Sequence, residues 1–273
     1  MGPTSLFTPD GEAALQALAQ ARPGPLLAFD FDGTLAPIVD NPAAARADAA
    51  VAARLQRLAA RWPVAVITGR AVADVQARLG FEPQYVVGNH GAEHSLDDPA
   101  DADKSVQLRD GEASRRALEP LRLQLQPWHA ALTAAGVLLE DKGASLALHF
   151  RRAPDRVQAQ ALIMELLQAR AAGLRISHGK LVVNVMAAGA PDKAAALLRL
   201  LAASGAGTAF FAGDDLNDEP VFAAAPPQWV TVRVGPGRWP TQARFEIDGP
   251  ERMAAVLDRL IGLMDTAPID TTL

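Results

Sequence analysis

The sequence predicts an α/β protein in which a parallel sheet wound with helices is interrupted by an inserted α+β module. Three observations carry this expectation. Short apolar runs alternate with amphipathic helical segments in the first third of the chain. The middle switches to paired strand-like runs accompanied by two helices. The first pattern then resumes around "AAGAPDKAAALLRLL".

Taken in order, Thr8-Pro9 is a helix start, with Leu15 and Leu18 on the buried side of a short amphipathic helix. "LLAFDF" reads as a strand. Asp48 is placed to cap a helix in which Val51, Leu55, Leu58 and Trp62 recur at helical spacing. "VAVITG" is a second strand, Val72, Val75 and Leu79 mark another helix, and "YVVGNHG" is a third strand ending in small and polar residues. "DDPADAD" (97–103) is an acidic, proline-interrupted hinge. Beyond it Leu118, Leu121, Leu125, Trp128 and Leu132 form one helical stripe. The runs "GVLLEDK" and "SLALHFR", a helix near 155–170, and the runs "LRIS" and "KLVVNVM" then suggest antiparallel strands covered by two helices. "TAFFAGDD" and "WVTVRV" restore the strand pattern, and 253–263 is a closing helix. The expected division is a core formed by 1–107 and 188–273, interrupted by a module at 108–187.

Composition limits the function. Of the 273 residues 49% are hydrophobic and 21% charged, which describes a globular chain. A net charge of −5 without a basic run argues against nucleic acid as a partner. There is no cysteine, hence no disulfide, thiolate site or thiol catalysis. The N-terminal "MGPTSLFTPDGE" lacks the basic and apolar segments of a signal peptide, and no apolar run reaches the length of a membrane span. A cytoplasmic protein with no membrane partner is expected. Nothing in the sequence speaks to its oligomeric state.

The chemistry concentrates at strand ends. In "LLAFDFDGTLAPI", Asp30 and Asp32 lie two residues apart, and strand residues at that spacing face the same way. Such neighbours repel unless a cation lies between them. Thr68 in "VITGR", Asn89 in "GNHG", and Asp214, Asp215 and Asp218 in "AGDDLND" fall at the carboxyl ends of other strands, where parallel sheets bind ligands. Each motif alone reads as an ordinary turn or cap; the joint occurrence at strand ends is the signal. Clustered carboxylates without His or Cys suit a hard cation, and a few carboxylates plus waters is the Mg²⁺ pattern. Lys193, in the first turn of a helix where the dipole disfavours a cation, makes sense beside an anionic site.

These motifs resemble the haloacid dehalogenase superfamily of phosphotransferases: "DFDGTL", the Thr of "VITGR", the Lys of "PDKAAAL" and "GDDLND" stand in its four motif positions. The resemblance implies a Rossmann-like core, a nucleophilic Asp30 that forms an aspartyl-phosphate, and Asp32 as the acid and base. It implies that Thr68 and Lys193 hold phosphoryl oxygens. Mg²⁺ would be bound by Asp30, the backbone carbonyl of Asp32 and Asp214, with Asp215 and Asp218 behind them.

The inserted module then becomes a cap that selects the substrate. In "SLALHFR", Leu146, Leu148 and Phe150 alternate with Ser145, His149 and Arg151. Glu140 and Lys142 share a face, as do Lys180 and Asn184. A face carrying both donors and acceptors suits a polyhydroxylated anionic ligand. From about Leu26 to Leu260 the chain is similar to trehalose-6-phosphate phosphatases, through "GNHGAE", "LEDKGASLALHFR", "GKLVVNV", "PDKAAAL" and "GDDLNDEPVF". The resemblance implies a small sugar phosphate as substrate and a trehalose-6-phosphate synthase as a candidate partner. It places Gly69, Arg70, Asn89, His90, Glu140, Lys142, Arg151, Lys180 and Asn184 against the substrate. Asn184 stands where family members commonly carry Glu, which bears on sugar selectivity and not on the chemistry. The rivals are phosphatases of sucrose 6-phosphate or mannosyl-3-phosphoglycerate. Further off stands a non-catalytic sugar-phosphate sensor, which degraded catalytic positions would signal; here Asp30, Asp32, Thr68, Lys193, Asp214 and Asp218 are all present.

Overall fold

The computed structural model describes residues 2–39, 41–95, 102–168, 170, 172–237 and 239–266, with backbone only for 102–110. The described strands, in chain order, begin with β1 (Thr4–Ser5), β2 (Pro25–Phe29), β3 (Val64–Ile67), β4 (Tyr85–Gly88) and β5 (Glu93–His94). β6 (Leu138–Asp141), β7 (Ser145–His149), β8 (Leu174–Gly179) and β9 (Val182–Ala187) follow, then β10 (Thr208–Gly213), β11 (Val230–Val234) and β12 (Phe245–Ile247). The order in the large sheet is β1-β12-β11-β10-β2-β3-β4-β5, parallel throughout except for the β4–β5 pair. β6-β7-β9-β8 form a separate antiparallel sheet. The chain therefore leaves the large sheet after β5, builds the small one, and re-enters at β10.

The helices are α1 (Pro9–Gln20), α2 (Ala49–Ala59), α3 (Val72–Leu79), α4 (Ala102–Leu125), α5 (His129–Ala134), α6 (Arg156–Gln168), α7 (Lys193–Ser204), α8 (Glu219–Ala224) and α9 (Met253–Thr266). Local chemistry sets several boundaries. Thr8 caps α1 ahead of Pro9, the Asp48 carboxylate accepts the Ala50 amide at 2.8 Å at the start of α2, and Asp192 accepts the Ala195 amide at 2.8 Å at the start of α7. Strand alternation builds the layers. Leu27 and Phe29 of β2 face a core shared with α1, α2, α3 and α9, while Leu26 and Ala28 face α7 and α8. Because β2 runs to β3 and β4 on one side and lies beside β10 on the other, the strand order switches between β2 and β10. The carboxyl ends of these two strands open the crevice where ligands bind in such sheets.

In the small sheet, Leu146, Leu148, Val183 and Val185 pack against Leu118 and Leu121 of α4, Leu132 of α5 and Ile163 of α6. The opposite face carries the cross-strand row Glu140, Ala147, Asn184 and Ser177.

Several details depart from the sequence expectation. Trp62 is buried but lies beyond the end of α2. The stripe from Leu118 to Leu132 is broken by a 3-10 turn at Gln126–Trp128, because Pro127 lacks the amide proton that would continue α4, and Trp128 is 39% exposed. The third strand stops at Gly88, and Asn89 and His90 take left-handed backbone angles (φ 49° and 58°) in a tight turn. Lys180 sits in the turn between β8 and β9, not on a strand. Residues 97–101 of the expected hinge lie outside the described residues, and 102–103 already belong to α4. No described helix is long and apolar enough to cross a membrane.

Candidate active site

Asp30 follows β2 and Asp214 follows β10, so the switch point brings them together, and the 3-10 turn Leu216–Asp218 adds Asp218. Carboxylate oxygens from these three buried residues lie within 4.8 Å of one another. Asp218 is fully committed to the protein: one oxygen accepts the amides of Asp214 (2.9 Å) and Asp215 (3.0 Å), the other accepts Lys193 Nζ at 2.7 Å. Lys193 Nζ also reaches Asp30 Oδ1 at 2.9 Å, and that oxygen accepts the Phe31 amide at 2.7 Å. The lysine at the unfavourable end of α7 is thus paired with two buried carboxylates, which outweigh both its burial and the helix dipole and hold it charged. Gly33 explains the glycine after the paired aspartates. It sits at φ +82°, and a Cβ there would lie 2.0 Å from Asp214 Oδ2.

Burial pushes the Asp30 carboxyl well above its ordinary range, beyond what Lys193 offsets. Burial likewise pushes Asp214 up to about 7 despite the facing Lys180, whose Nζ bonds Asp214 Oδ2, and raises Asp215. A buried, oxygen-only group of carboxylates whose charges are unfavourable by themselves is a fit for a hard divalent cation. The expected pH dependence follows. A carboxyl whose folded-state pKa lies above the unfolded value leaves the folded chain holding more protons. Stability from this group is therefore present below about 4 and lost as pH rises through about 7. Mg²⁺ should relieve that penalty, so the rise in melting temperature on adding it is expected to be larger at pH 8 than at pH 5. Equal rises at both pH values would show that the carboxylates are not the binding groups.

Asp32 lies outside this cluster and faces Arg70, whose Nε and Nη2 bond its two oxygens at 2.6 and 2.7 Å. Thr68, after β3, accepts the Arg70 amide at 3.2 Å through its hydroxyl. The Gly69 carbonyl accepts Lys142 Nζ from the small sheet's β6–β7 turn at 2.9 Å. Gly69 has no side chain because the His90 ring fills that space: a Cβ would lie 2.3 Å from its Cε1. Burial, then the charges of Lys142, Lys193 and Arg175, push His90 well below the ordinary histidine value, and a hydrogen bond with Asn184 opposes this only in part. The ring is neutral at neutral pH.

The small sheet closes the other side of the cleft. Glu140 bonds His149 Nε2 at 2.8 Å, which, with the Lys142 ammonium at 3.7 Å, holds its carboxyl below the usual range against the effect of burial. Burial lowers Lys142. Arg151 donates to the Val39 carbonyl of the large-sheet half. The resulting cleft, about 920 Å³ including its open mouth, is lined by every residue singled out from the sequence except Asn89 and Asp218. Asn89 is turned inward instead. Its amide bonds Glu93 at 2.7 Å and its carbonyl accepts Ser145 Oγ at 2.8 Å, so it ties the two sheets together beneath the cleft. Asp74, His149 and Asn217 line the cleft without having been singled out as site residues. Asp74 stands four residues before Arg78 within α3, a helical spacing that could have drawn attention to it.

Residues 28–251 match the family model for trehalose-phosphatase. The trehalose-phosphate phosphatase of Mycobacterium tuberculosis is 34% identical over 272 residues, covering 95% of this chain and 68% of the relative. Among solved structures, the C-terminal domain of the trehalose-6-phosphate phosphatase of C. albicans superposes with a TM-score of 0.73 at 22% identity, covering 96% of this chain and 98% of that one. The sucrose-phosphatase of Synechocystis, in complex with sucrose and phosphate, gives a TM-score of 0.58 at 15% identity, covering 88% of this chain and 97% of that one. The structural likenesses support the haloacid dehalogenase-like α/β fold expected from the motifs.

Proposed function

Because the chain belongs to the trehalose-phosphatase family and is a phosphatase by that membership, we propose that its cleft converts trehalose 6-phosphate and water to trehalose and phosphate. The observation that carries this reading is the juxtaposition of a buried carboxylate cluster with a sheet face bearing Glu140, His149 and Asn184 in one cleft. The first part supplies phosphoryl chemistry and the second supplies the donors and acceptors that sugar hydroxyls require.

In the proposed reaction an Asp30 oxygen attacks phosphorus. The bond from phosphorus to the sugar oxygen breaks, its electron pair leaves with that oxygen, and Asp32 delivers the proton that makes it a hydroxyl. Water then attacks the aspartyl-phosphate, gives its proton to Asp32, and displaces the Asp30 carboxylate to release phosphate. Lys193, held against Asp30, and Thr68, at the end of β3, orient phosphoryl oxygens. Asp30, Asp214 and the Asp32 carbonyl would hold Mg²⁺, which when bound neutralises charge on the transferring group. The inserted module, proposed to span 108–187, acts as the cap. Lys142, Arg151 and Lys180 already bridge from it to Gly69, Val39 and Asp214, so closing it would exclude water from the reaction.

Phosphate release from trehalose 6-phosphate, sucrose 6-phosphate and mannosyl-3-phosphoglycerate, each with Mg²⁺ and with EDTA, tests the reading. The trehalose ester is expected to have the highest kcat/KM, and EDTA should abolish turnover. Preference for another ester would overturn the substrate assignment, and full activity in EDTA would overturn the metal.

A further inference from the structure

Asp32 is the carboxylate on which the proposed proton transfers depend, yet its side chain is 35% exposed. Among the described residues its hydrogen bonds go to Arg70. A carboxylate gripped by the guanidinium fork has its plane set by the plane of the arginine. Each oxygen has two lone pairs, and the fork occupies one on each, leaving the others for the cleft. The orientation of Asp32 is therefore only as well defined as that of Arg70.

Arg70 is itself fixed from two further directions. Its Nη2 also donates to the Pro42 carbonyl at 2.9 Å, and its Nη1 donates to Asp74 Oδ2 at 2.8 Å. Asp74 does not float either. It sits in the first turn of α3, where the helix dipole favours an acid, and its other oxygen accepts Arg78 Nε at 2.9 Å. Arg78 in turn donates to the carbonyls of Ala43 and Ala45. The result is a continuous chain of charge-assisted bonds from the loop before α2, through Arg78, Asp74 and Arg70, to Asp32.

We propose that Asp74 is a positioning residue: it fixes the Arg70 guanidinium in the plane that keeps the Asp32 carboxyl group directed at the leaving oxygen. This rests on the reading of Asp32 as the acid and base. Without Asp74, the Arg70 Nη1 loses its acceptor in a position only 11% exposed, and the guanidinium turns to find another.

Two small aryl esters isolate the effect. Phenyl phosphate and p-nitrophenyl phosphate have similar size and neither carries a sugar, but phenolate needs a proton on departure far more than p-nitrophenolate does. The measurement is kcat/KM, which reports the step that breaks the ester bond. Asp74→Ala is expected to lose about 10-fold on phenyl phosphate and no more than about 2-fold on p-nitrophenyl phosphate. Asp74→Asn, which leaves one oxygen for two arginines, should separate the esters by about 3-fold, and it carries the test alone if the alanine variant does not fold. Equal losses on both esters would mean a merely structural role and overturn the inference. So would losses confined to trehalose 6-phosphate, which would mean a contact with the sugar. Asp32→Asn serves as the reference. If it fails to separate the esters, the acid and base reading itself falls. If it separates them and the Asp74 variants do not, only the positioning role falls.

Discussion

Asp30→Asn is expected to lower phosphatase turnover by several orders of magnitude while leaving the metal-free protein at least as stable as the parent. Asparagine keeps the shape and one oxygen. That oxygen can still accept the Phe31 amide and Lys193 Nζ, the two bonds that Asp30 Oδ1 makes now. What is lost is the charge proposed to attack phosphorus. The stability expectation has its own cause. Burial holds the Asp30 carboxyl well above its ordinary range, so its ionised form is unfavourable in the folded chain, and removing it relieves repulsion with Asp214 and Asp218. Steady-state phosphate release and a thermal melt in EDTA check both halves. Retention of a tenth of the parent rate would exclude a covalent role for Asp30.

Lys193→Met has the largest expected effect on stability. The ammonium is almost wholly buried between Asp218 and Asp30. Methionine fills most of the volume but leaves Asp218 Oδ1 without its partner in a site with no water access of its own. Breaking a buried ion pair from one side typically costs on the order of 3–5 kcal/mol, and a loss in that range is expected from the urea midpoint at an unchanged slope. Activity should vanish with it, if Lys193 holds phosphoryl oxygens as proposed. A loss below about 1 kcal/mol would mean that the pair behaves like a surface salt bridge and that the pocket is not tightly built around it. A bound cation would share the compensation of Asp30, so the urea experiment belongs in EDTA.

The residues proposed to carry the reaction chemistry were legible because their positions are set locally. Asp30, Thr68 and Asp214 each follow a short, fully buried strand, and Lys193 follows Pro191 and the capping Asp192; a few neighbouring residues determine each placement. The parallel core was legible for the same reason, since Leu26 to Phe29 read as a strand buried on both faces. What stayed hidden depends on partners far away in the chain. Nothing near Arg70 announces that it grips Asp32, 38 positions earlier. Asn89 sits in a polar, strand-end motif, but Ser145 and Glu93 draw it inward to the joint between the sheets. Lys180 was expected to share a strand face with Asn184, and the turn at Lys180 and Leu181 instead sends it to Asp214. β1, β5 and β12 are two or three residues long, too short to show alternation.

The sheet order also has a consequence for how the protein comes into being. β2, the strand that ends at Asp30, has β3 on one side, but its other neighbour is β10, whose residues leave the ribosome only after the whole small sheet has been made. Among the described residues, the apolar cluster under the small sheet draws on residues between Leu118 and Val185, so its contacts close within a short stretch of chain. Closing the β2–β10 pair spans a far longer loop, with a correspondingly larger entropic cost and slower expected formation. Half of the central strand's hydrogen-bonding edge therefore stays unpaired on the nascent chain, an open template for aggregation. During synthesis Asp30 and Asp214 come together only after the small sheet is complete. A chain truncated before Thr208 would keep the apolar cluster of the small sheet and still lack Asp214 beside Asp30.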